Sequence, residues 1–343
     1  MEQISRIGVD LAKRVFQVHG VDGAGGVVLR RQLRRGEVLK FFRRLPPCLV
    51  GMEACATSHY WGREIAALGH EVRLMPPARV KPYVKWGCKN DSADAEACCE
   101  AVARPRMTFV PIKSVEAQVV STLHRTRRLL VGQRTQLANA LRGHMAEYGL
   151  AAAKGEGGLA ALLALIEKAD HDRLPAALRP ILQALATQWQ DTDRRIADCD
   201  RQIAAWHANN ADSRRLATIP RIGPVTASAL VAAAGDATRF RNGRQFAAWL
   251  GLVPRQNSSG GKARLGAITR AGDRYVRQLL VVCATGMLAQ AKRNPAAVSP
   301  WFAALLARKS PRLATVALAN KLARIAWTLL ARGGTYRAPQ AAA

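Results

Sequence analysis

Four carboxylates in the first hundred residues are of types and at spacings that suit phosphodiester chemistry. Asp10 and Glu53 each end a short apolar run, where a carboxylate has no packing role. Asp91 and Asp94 stand three residues apart at the start of a predicted helix, so both lie on one face of its first turn. Hard divalent cations take oxygen ligands, and two ions about 3.5–4 Å apart stabilise the attacking and leaving oxygens of a phosphodiester. The four residues together predict a divalent-metal site.

Each of these acids taken alone also has a structural explanation. Asp91 could cap a helix, and Asp94 could be a favourable charge in its first turn. Glu53 could form an ion pair with an arginine such as Arg79. The joint order favours the metal site, because one acid follows the first strand, one follows the fourth, and two open a later helix.

Apolar runs of period two alternate with helical patterns before these acids. The predicted strands are residues 4–11, 15–21, 27–33, 48–53 and 70–75, and the predicted helices are residues 37–45, 58–68 and 91–103. A glycine-rich turn at 22–26 joins the second and third strands, so the first three strands form antiparallel hairpins. We expect the first and fourth strands to be neighbours, with Asp10 and Glu53 in one cleft. This is the order of a ribonuclease H or RuvC-like domain.

The middle of the chain is helical, in two stretches at about 114–149 and 174–206 with a glycine-containing break at 154–158. A seam with spacings of three and four runs along the second stretch: Leu182, Leu185, Trp189, Thr192, Ile196, Cys199, Ile203 and Trp206. A repeat of seven in the first stretch could supply its partner: Leu123, Leu130 and Leu137. A hairpin within one chain and a coiled coil between chains both fit, and we favour an assembly of two or more copies. The arginines expected on a solvated face are Arg125, Arg127, Arg128, Arg134 and Arg142.

A third region begins near residue 211. Residues 218–224 form a helix-hairpin-helix-like turn, in which backbone amides held by Gly223 can meet a phosphate, although a plain helical connector also fits. The elements that follow are an apolar run at 246–253, a glycine-rich loop at 255–262, basic helices at 271–290 and 311–332, and a frayed tail from 333.

The composition points to a folded protein with a polyanionic partner. The 343 residues include 52 Lys and Arg against 24 Asp and Glu, a formal net charge of +28, and 49% of them are hydrophobic. Residues 201–343 hold 22 basic and 3 acidic residues, a net charge of +19. Nucleic acid is the first candidate partner and an anionic membrane surface the rival.

No uninterrupted apolar stretch of about 18 residues and no basic-then-apolar N-terminal segment is present, so we expect no membrane span and a cytoplasmic protein. The cysteines lack the paired spacing of a zinc site, and we expect them to be reduced, small core residues. They are Cys48, Cys55, Cys88, Cys98, Cys99, Cys199 and Cys283.

Several separate motifs in this order give the chain a family resemblance. It resembles the DEDD transposases of the insertion-sequence 110 family, in particular its 1111 subgroup, which are relatives of the Piv-type DNA invertases. The motifs that carry the resemblance are residues 8–10, 51–55, 89–95, 219–224, 248–254, 258–262 and 268–273, followed by Arg277. The resemblance covers nearly the whole chain.

The resemblance implies a fold of class α/β plus all-α. Its expected parts are a RuvC/RNase H-like DEDD domain at 1–110, a helical coiled-coil linker at 111–210, a mostly helical C-terminal transposase domain at 211–335 and a flexible tail at 336–343. In the family the four carboxylates hold magnesium, so Asp10, Glu53, Asp91 and Asp94 are the expected ligands, with two Mg²⁺ ions per site.

A serine nucleophile is also implied. In the family a serine of the C-terminal domain attacks the scissile phosphate and forms a covalent phosphoserine link to DNA. The matching residue is Ser259, directly before Gly260, with Ser258 as second choice; the alternative is that both serines only fill a flexible phosphate-binding loop. The residues expected to bind nucleic acid are Arg221, Gly223, Arg255, Lys262, Arg264, Arg270 and Arg277.

The implied partners are donor DNA, target DNA, a non-coding guide (bridge) RNA from the element itself, and further copies of the chain. Because roughly two hundred residues separate the nucleophile from the carboxylates, we expect a composite site from two protomers, in a dimer and then a tetramer on DNA. Site choice by base pairing agrees with the absence of a recognisable base-reading module. Arg221 departs from the family, which commonly has glycine there, and would be strained if the turn needs a positive φ.

Other functions compete with an RNA-guided transposase. A site-specific invertase of the Piv type would use the same chemistry on an inverted segment. A RuvC-like nuclease that hydrolyses DNA would need the carboxylates and not Ser259. An architectural DNA- or RNA-binding protein would need only the basic surface and would tolerate loss of Asp10.

Overall fold

The computed structural model describes residues 4–84, 90–168, 174–262, 264–295 and 298–337. The chain divides into two compact units, Met1–Val115 and Glu116–Ala343. The first unit is mixed α/β and the second is mostly helical. The division into three domains stays a prediction, and its boundary at 210 falls inside the second unit.

The first unit is built on a five-stranded sheet. Its strands are β1 (Arg6–Asp10), β2 (Val15–Val21), β3 (Val27–Arg34), β4 (Leu49–Glu53) and β5 (Glu71–Met75), in the order β3-β2-β1-β4-β5. The pairs β1–β2 and β2–β3 are antiparallel, whereas β1–β4 and β4–β5 are parallel. The prediction that the first and fourth strands are neighbours is therefore confirmed.

Helices cover this sheet. They are α1 (Val38–Arg43), α2 (Ser58–Ala66), α3 (Pro77–Val80) and α4 (Asp91–Val102). The residues Ile7, Val9, Val50 and Met52 are completely buried, because they share the face of the sheet that packs against α1 and α2. At the start of α4, the side chain of Asn90 accepts a hydrogen bond from the backbone N–H of Ala93. Asn90 thus caps the helix that carries the Asp91 and Asp94 pair.

The second unit contains nine helices and one small hairpin in the described part of the chain. The helices are α5 (Val115–Ala146), which begins at the unit boundary, α6 (Glu156–Glu167), α7 (Arg179–Asn209), α8 (Ala211–Leu216), α9 (Pro224–Ala234), α10 (Gly243–Trp249), α11 (Arg274–Arg293), α12 (Pro300–Arg308) and α13 (Pro311–Arg332). The strands β6 (Pro254–Gln256) and β7 (Leu265–Ile268) pair antiparallel.

Helices α5 and α7 run antiparallel within one chain. Arg127 donates through Nε and Nη2 to the two oxygens of Asp200, at 2.5 and 3.2 Å, and Arg134 pairs with Asp193 farther along. Two arginines expected on a solvated face thus join α5 to α7, and a third, Arg142, donates to the carbonyl of Gly155 at the start of α6. The hairpin alternative is thus present, and pairing between chains stays a prediction.

A buried histidine joins the hairpin to the helices that follow. His124 on α5 lies 3.0 Å from Ser228 Oγ on α9 and 3.2 Å from the hydroxyl of Tyr275 on α11. Ser228 donates its own proton to the carbonyl of Pro224, so it accepts from His124 Nε2, and Nδ1 accepts from Tyr275. Burial and the nearby Arg127 lower the pKa of His124 to about 4, so the ring is neutral at pH 7.

Three elements differ from the sequence expectations. The break expected at 154–158 overlaps the start of α6. The glycine-rich loop expected at 255–262 forms the end of β6 and the turn of the β6–β7 hairpin. Helix α12 has no counterpart among the predicted elements. Each is short or glycine-rich, so neither a strand period nor a helix period is visible.

The core of the second unit surrounds α13. This helix is long and apolar enough to cross a membrane by length and composition, which is weak evidence alone, and half of its apolar window is buried inside the protein. Its buried residues include Leu318, Leu322 and Ala326. The tail is ordered at Tyr336, whose N–H donates to Thr218 Oγ1 at 2.9 Å, against the expected fraying; residues 338–343 lie outside the described part.

The cysteines follow their prediction with one exception. Cys48, Cys98, Cys99, Cys199 and Cys283 are buried and free, whereas Cys55 is free and exposed, so it is not a core residue. Cys88 lies outside the described residues.

Candidate functional site

Asp10 and Glu53 end two neighbouring strands and face the same side of the sheet. The parallel register pairs Val9 with Met52, so the two acids follow adjacent paired residues. Side chains two apart in a strand share a face, which groups Asp10 with Gly8 and Glu53 with Gly51. Both acids are partly buried. The structure therefore brings together the first two predicted site residues.

The two glycines let α4 lie directly on these strands. A Cβ atom on Gly8 would collide with the backbone of Ala95 and Cys99, and one on Gly51 would lie 2.6 Å from Cβ of Val102. No larger residue fits between the strands and α4. The signal in the sequence for this role is the two-residue spacing of Gly8 from Asp10 and of Gly51 from Glu53.

The close approach of α4 sets its first turn beside the strand ends. Asp91 is exposed and Asp94 is partly buried. Desolvation, followed by repulsion from Asp94 and Asp91, raises the pKa of Asp10 to about 6. Desolvation and repulsion from Asp94 and Asp10 also raise the pKa of Glu53. Asp10 therefore interacts with Asp91, Asp94 and Glu53, and Glu53 also interacts with Asp94.

The separate explanations of these acids do not account for the cluster. Within the described residues, none of the four forms an ion pair, and Glu53 in particular does not pair with Arg79. The helix cap is Asn90, not Asp91. The cluster thus carries negative charge that the described side chains leave uncompensated.

A divalent cation fits this donor set by chemistry, because carboxylate oxygens are its preferred ligands and its charge would relieve the mutual repulsion. In the described part of the chain, no group of three or more His, Cys, Asp or Glu side chains is placed to hold an ion. Binding would therefore require the carboxylates to move closer together.

Ser258 and Ser259 lie near the tip of the β6–β7 hairpin in the second unit. Gly260 and Gly261 have φ of 55° and 74°, as a two-residue hairpin turn requires, and Lys262 N–H donates to the carbonyl of Ser259 at 3.0 Å. Ser258 Oγ accepts from the backbone N–H of Arg264 at 3.2 Å. Both serines are exposed, and among the described residues the hydroxyl of Ser259 has no hydrogen-bond partner.

The predicted nucleic-acid-binding cations fall into two groups. Arg255, Lys262, Arg264 and Arg270 are exposed on or beside the hairpin. Arg277 is only partly exposed, and its Nη1 donates to the carbonyls of Leu250 and Ala271, at 2.9 and 2.7 Å. Arg277 therefore helps to hold the loop from which the hairpin projects.

The turn at 218–224 joins α8 to α9. Gly223 caps α9 with extended backbone, whereas Arg221 has φ of 67°, in the left-handed region. The arginine is thus strained there, as the sequence analysis expected if the turn needs a positive φ. Its Nη2 donates to Oε1 of Gln290 at 2.9 Å.

The matches to protein families cover both groups of site residues. Residues 7–150 match the DEDD transposase family of the IS110 type, described as "Transposase", and residues 213–299 match the family described as "Transposase IS116/IS110/IS902 family". The first match contains the four carboxylates and the second contains the hairpin serines.

Similar proteins extend over the full chain. The chain is 51% identical over 335 residues to a Pseudomonas aeruginosa protein named "Probable family 20 transposase", covering 97% of this chain and 99% of that protein. It is 39% identical over 337 residues to the Coxiella burnetii "Transposase for insertion sequence element IS1111A", covering 98% and 92%. It is 37% identical over 336 residues to the Yersinia enterocolitica "Transposase for insertion sequence element IS1328", covering 98% and 99%.

The chain therefore belongs to the IS110-type family of DEDD transposases. It is a DNA transposase, an enzyme of insertion-sequence transposition that acts on DNA. DEDD transposases typically use divalent metal ions.

Proposed function

We propose that this transposase cuts and rejoins DNA through a phosphoserine intermediate, with magnesium held by Asp10, Glu53, Asp91 and Asp94. The observation that carries the proposal is the uncompensated cluster of four carboxylates at the ends of β1 and β4 and the start of α4. The strand order and directions also support a RuvC-like fold for the first unit. Bound magnesium would neutralise charge that develops on the reacting phosphate.

Ser259 is the proposed nucleophile. Its Oγ forms a bond to the scissile phosphorus, the bond from phosphorus to one DNA oxygen breaks, and that oxygen takes up a proton. In the second step a DNA hydroxyl attacks the same phosphorus and Ser259 regains its proton. The number of ester bonds stays constant, so no high-energy cofactor is needed.

The choice of Ser259 over Ser258 rests on the hairpin. Ser258 Oγ accepts a backbone hydrogen bond across the two strands, whereas the Ser259 hydroxyl is exposed at the turn. The exposed Arg255, Lys262 and Arg264 could bind the phosphates on either side. In this proposal the carboxylates and the serine that act together come from two copies of the chain.

Guide RNA is the proposed source of sequence specificity. The second unit is strongly basic, which suits contacts with nucleic-acid backbones, and such contacts carry no sequence information. Pairing of an element-encoded RNA with donor and target DNA would supply that information. The proposed assembly is a dimer that forms a tetramer on DNA.

The test is a search for a protein–DNA adduct that resists denaturation. The wild type and the variants Asp10→Ala, Ser259→Ala and Ser258→Ala are incubated with magnesium, the transcript of the flanking non-coding segment and element-junction DNA. We expect the adduct in the wild type and in Ser258→Ala, the matched control, and its loss in the other two variants.

Other outcomes identify the competing functions. Cleavage that survives Ser259→Ala without an adduct would show a hydrolytic nuclease and overturn the serine mechanism. An adduct that forms equally well without the transcript would overturn guidance by RNA. Recombination restricted to an inverted segment would identify an invertase.

A further inference from the structure

Two adjoining cavities lie in the second unit. None of their described lining residues belongs to the β6–β7 hairpin. Their volumes are about 580 and 390 Å³, within the roughly 300–1,000 Å³ range of ligand sites. Trp301, Lys321, Ile325 and Thr328 line both, so these residues form a common wall. A ligand that extends past this wall would occupy both cavities.

The larger cavity is cationic. Arg244, Lys321 and Arg324 line it, and no carboxylate is among its described lining residues. None of these three cations forms an ion pair within the described part of the chain. Burial and the neighbouring Arg324 lower the pKa of the Lys321 ammonium. Such a cavity suits an anion.

The smaller cavity is largely apolar. Its lining includes Ile219, Pro220, Met287, Leu322 and Tyr336. The first two belong to the turn at 218–224, so the predicted hairpin motif forms part of this wall. No carboxylate is among the described residues here either. The surface suits a planar, weakly polar group.

Trp301 stands between the two environments. It is the second residue of α12 and is 41% exposed. Lys321 Nζ lies 3.8 Å from the centroid of its ring. Aromatic rings beside cations are the features with which proteins bind single-stranded nucleic acid, because bases stack on the rings and phosphates pair with the cations.

We propose that the two cavities bind one unpaired nucleotide, with its phosphate in the cationic cavity and its base in the apolar cavity against Trp301. The inference rests on the proposed function, because pairing of a guide RNA with DNA displaces a strand and leaves it unpaired. It does not depend on the metal or the serine. A duplex would present only its phosphates, because its bases are stacked and paired, and an acidic peptide would lack the planar base.

The test measures binding of the full chain to labelled 12-nucleotide strands by fluorescence anisotropy, with EDTA present to prevent cleavage. DNA and RNA strands of one sequence and the matching duplex are compared. We expect Trp301→Ala to weaken single-strand binding about tenfold, the loss of one stacked base, and to leave duplex binding within about twofold. Trp301→Phe should retain most of the affinity. The DNA and RNA arms show which strand the site prefers.

The contribution of the cavity cations is measured by the salt dependence of binding. Lys321→Gln should lower the slope of log affinity against log salt by about one, whereas Trp301→Ala should leave it unchanged. Arg312→Gln is the matched control, because Arg312 is exposed on α13 and lines neither cavity. Thermal melting checks that the variants fold.

Several results would overturn the inference: unchanged single-strand binding in folded Trp301→Ala, equal losses for duplex and single strand, or the same loss in Arg312→Gln. Displacement of the strand by an acidic peptide at similar concentration would also contradict it. The adduct assay tests the serine mechanism separately, because it compares the wild type with Ser259→Ala and changes neither cavity. Failure there would concern the serine mechanism alone.

Discussion

The residue on which the candidate site depends most is Asp10. Its carboxylate follows a fully buried valine, and burial followed by repulsion from the neighbouring acids disfavours its ionised form. Folding therefore has to hold together like charges that would separate in the unfolded chain. The repulsion between these carboxylates lowers the free energy of unfolding, and a bound cation would relieve it.

We expect Asp10→Asn to stabilise the protein without metal at pH 7. Because the pKa is about 6 in the folded protein against a usual value of 3.8, the folded state binds more protons between these values. Stability from this group is therefore greatest below pH 3.8 and is lost as the pH rises through 6. The gain in the variant is about 1 kcal/mol after discounting for solvent screening, or a few degrees in Tm.

The same variant should lose its response to magnesium. In the wild type we expect magnesium to bind only the folded state and to raise the Tm of the first unit, and we expect removal with EDTA to reverse the rise. Glu147→Gln, which removes an exposed acid of the second unit, is the control and should behave as the wild type. A magnesium shift that persists in Asp10→Asn would contradict the site.

At the scale of elements, the contact of α4 with β1 and β4 assembles the site. The side chain that Gly8 or Gly51 lacks would occupy the space of the α4 backbone or of Val102. Asp91 and Asp94 depend on this contact, since they lie in the first turn of the same helix. A substitution that displaces α4 would therefore move Asp91 and Asp94 away from Asp10 and Glu53 while all four carboxylates stay in the sequence.

We expect Gly51→Ala to displace α4 and to reduce strand transfer at least tenfold, with a loss of about 1–3 kcal/mol from overpacking. Gly132→Ala on α5 is the matched control, because nothing lies within 4 Å of its added Cβ. Replacing a glycine inside a helix by alanine raises the free energy of unfolding by about 0.5–1 kcal/mol. Urea unfolding and the adduct assay measure both effects. Full activity of Gly51→Ala would show that α4 does not position the acids.

The elements differ in how far the sequence could predict them. β2 matches its predicted bounds and α13 matches 311–332, because alternation and long helical periodicity are strong local signals. The β6–β7 hairpin gave no such signal, since its residues are nearly all exposed and three of them are glycine. The roles of Arg127 and Arg134 were also missed, because ion pairs depend on which helix lies opposite.

At the scale of the whole molecule, the unequal charge distribution governs binding to DNA. Residues 201–343 hold 22 basic and 3 acidic residues. We expect the affinity for duplex DNA to fall about 10³–10⁵-fold between 50 and 200 mM salt, as for proteins with 6–10 phosphate contacts. Anisotropy titrations without magnesium measure this slope.

The location of the charge is tested by two sets of three substitutions to glutamine. Changing Arg255, Lys262 and Arg264 on the hairpin should lower the slope by about two to three. Changing the exposed Arg30, Arg31 and Arg34 of β3 removes equal charge from the first unit and should lower it less. Equal effects would mean that net charge alone, and not its position, governs binding.

The pairing of α5 with α7 also fixes the length of the helical hairpin. At 1.5 Å per residue the 32 residues of α5 extend about 48 Å, comparable with about 14 base pairs of duplex at 3.4 Å each. Because a helix turns about 100° per residue, lengthening both helices by seven residues nearly preserves the phase of the facing seams, whereas lengthening them by two reverses it. The length of the hairpin can therefore change by whole heptads, in steps of seven residues per helix, while the facing seams stay in register.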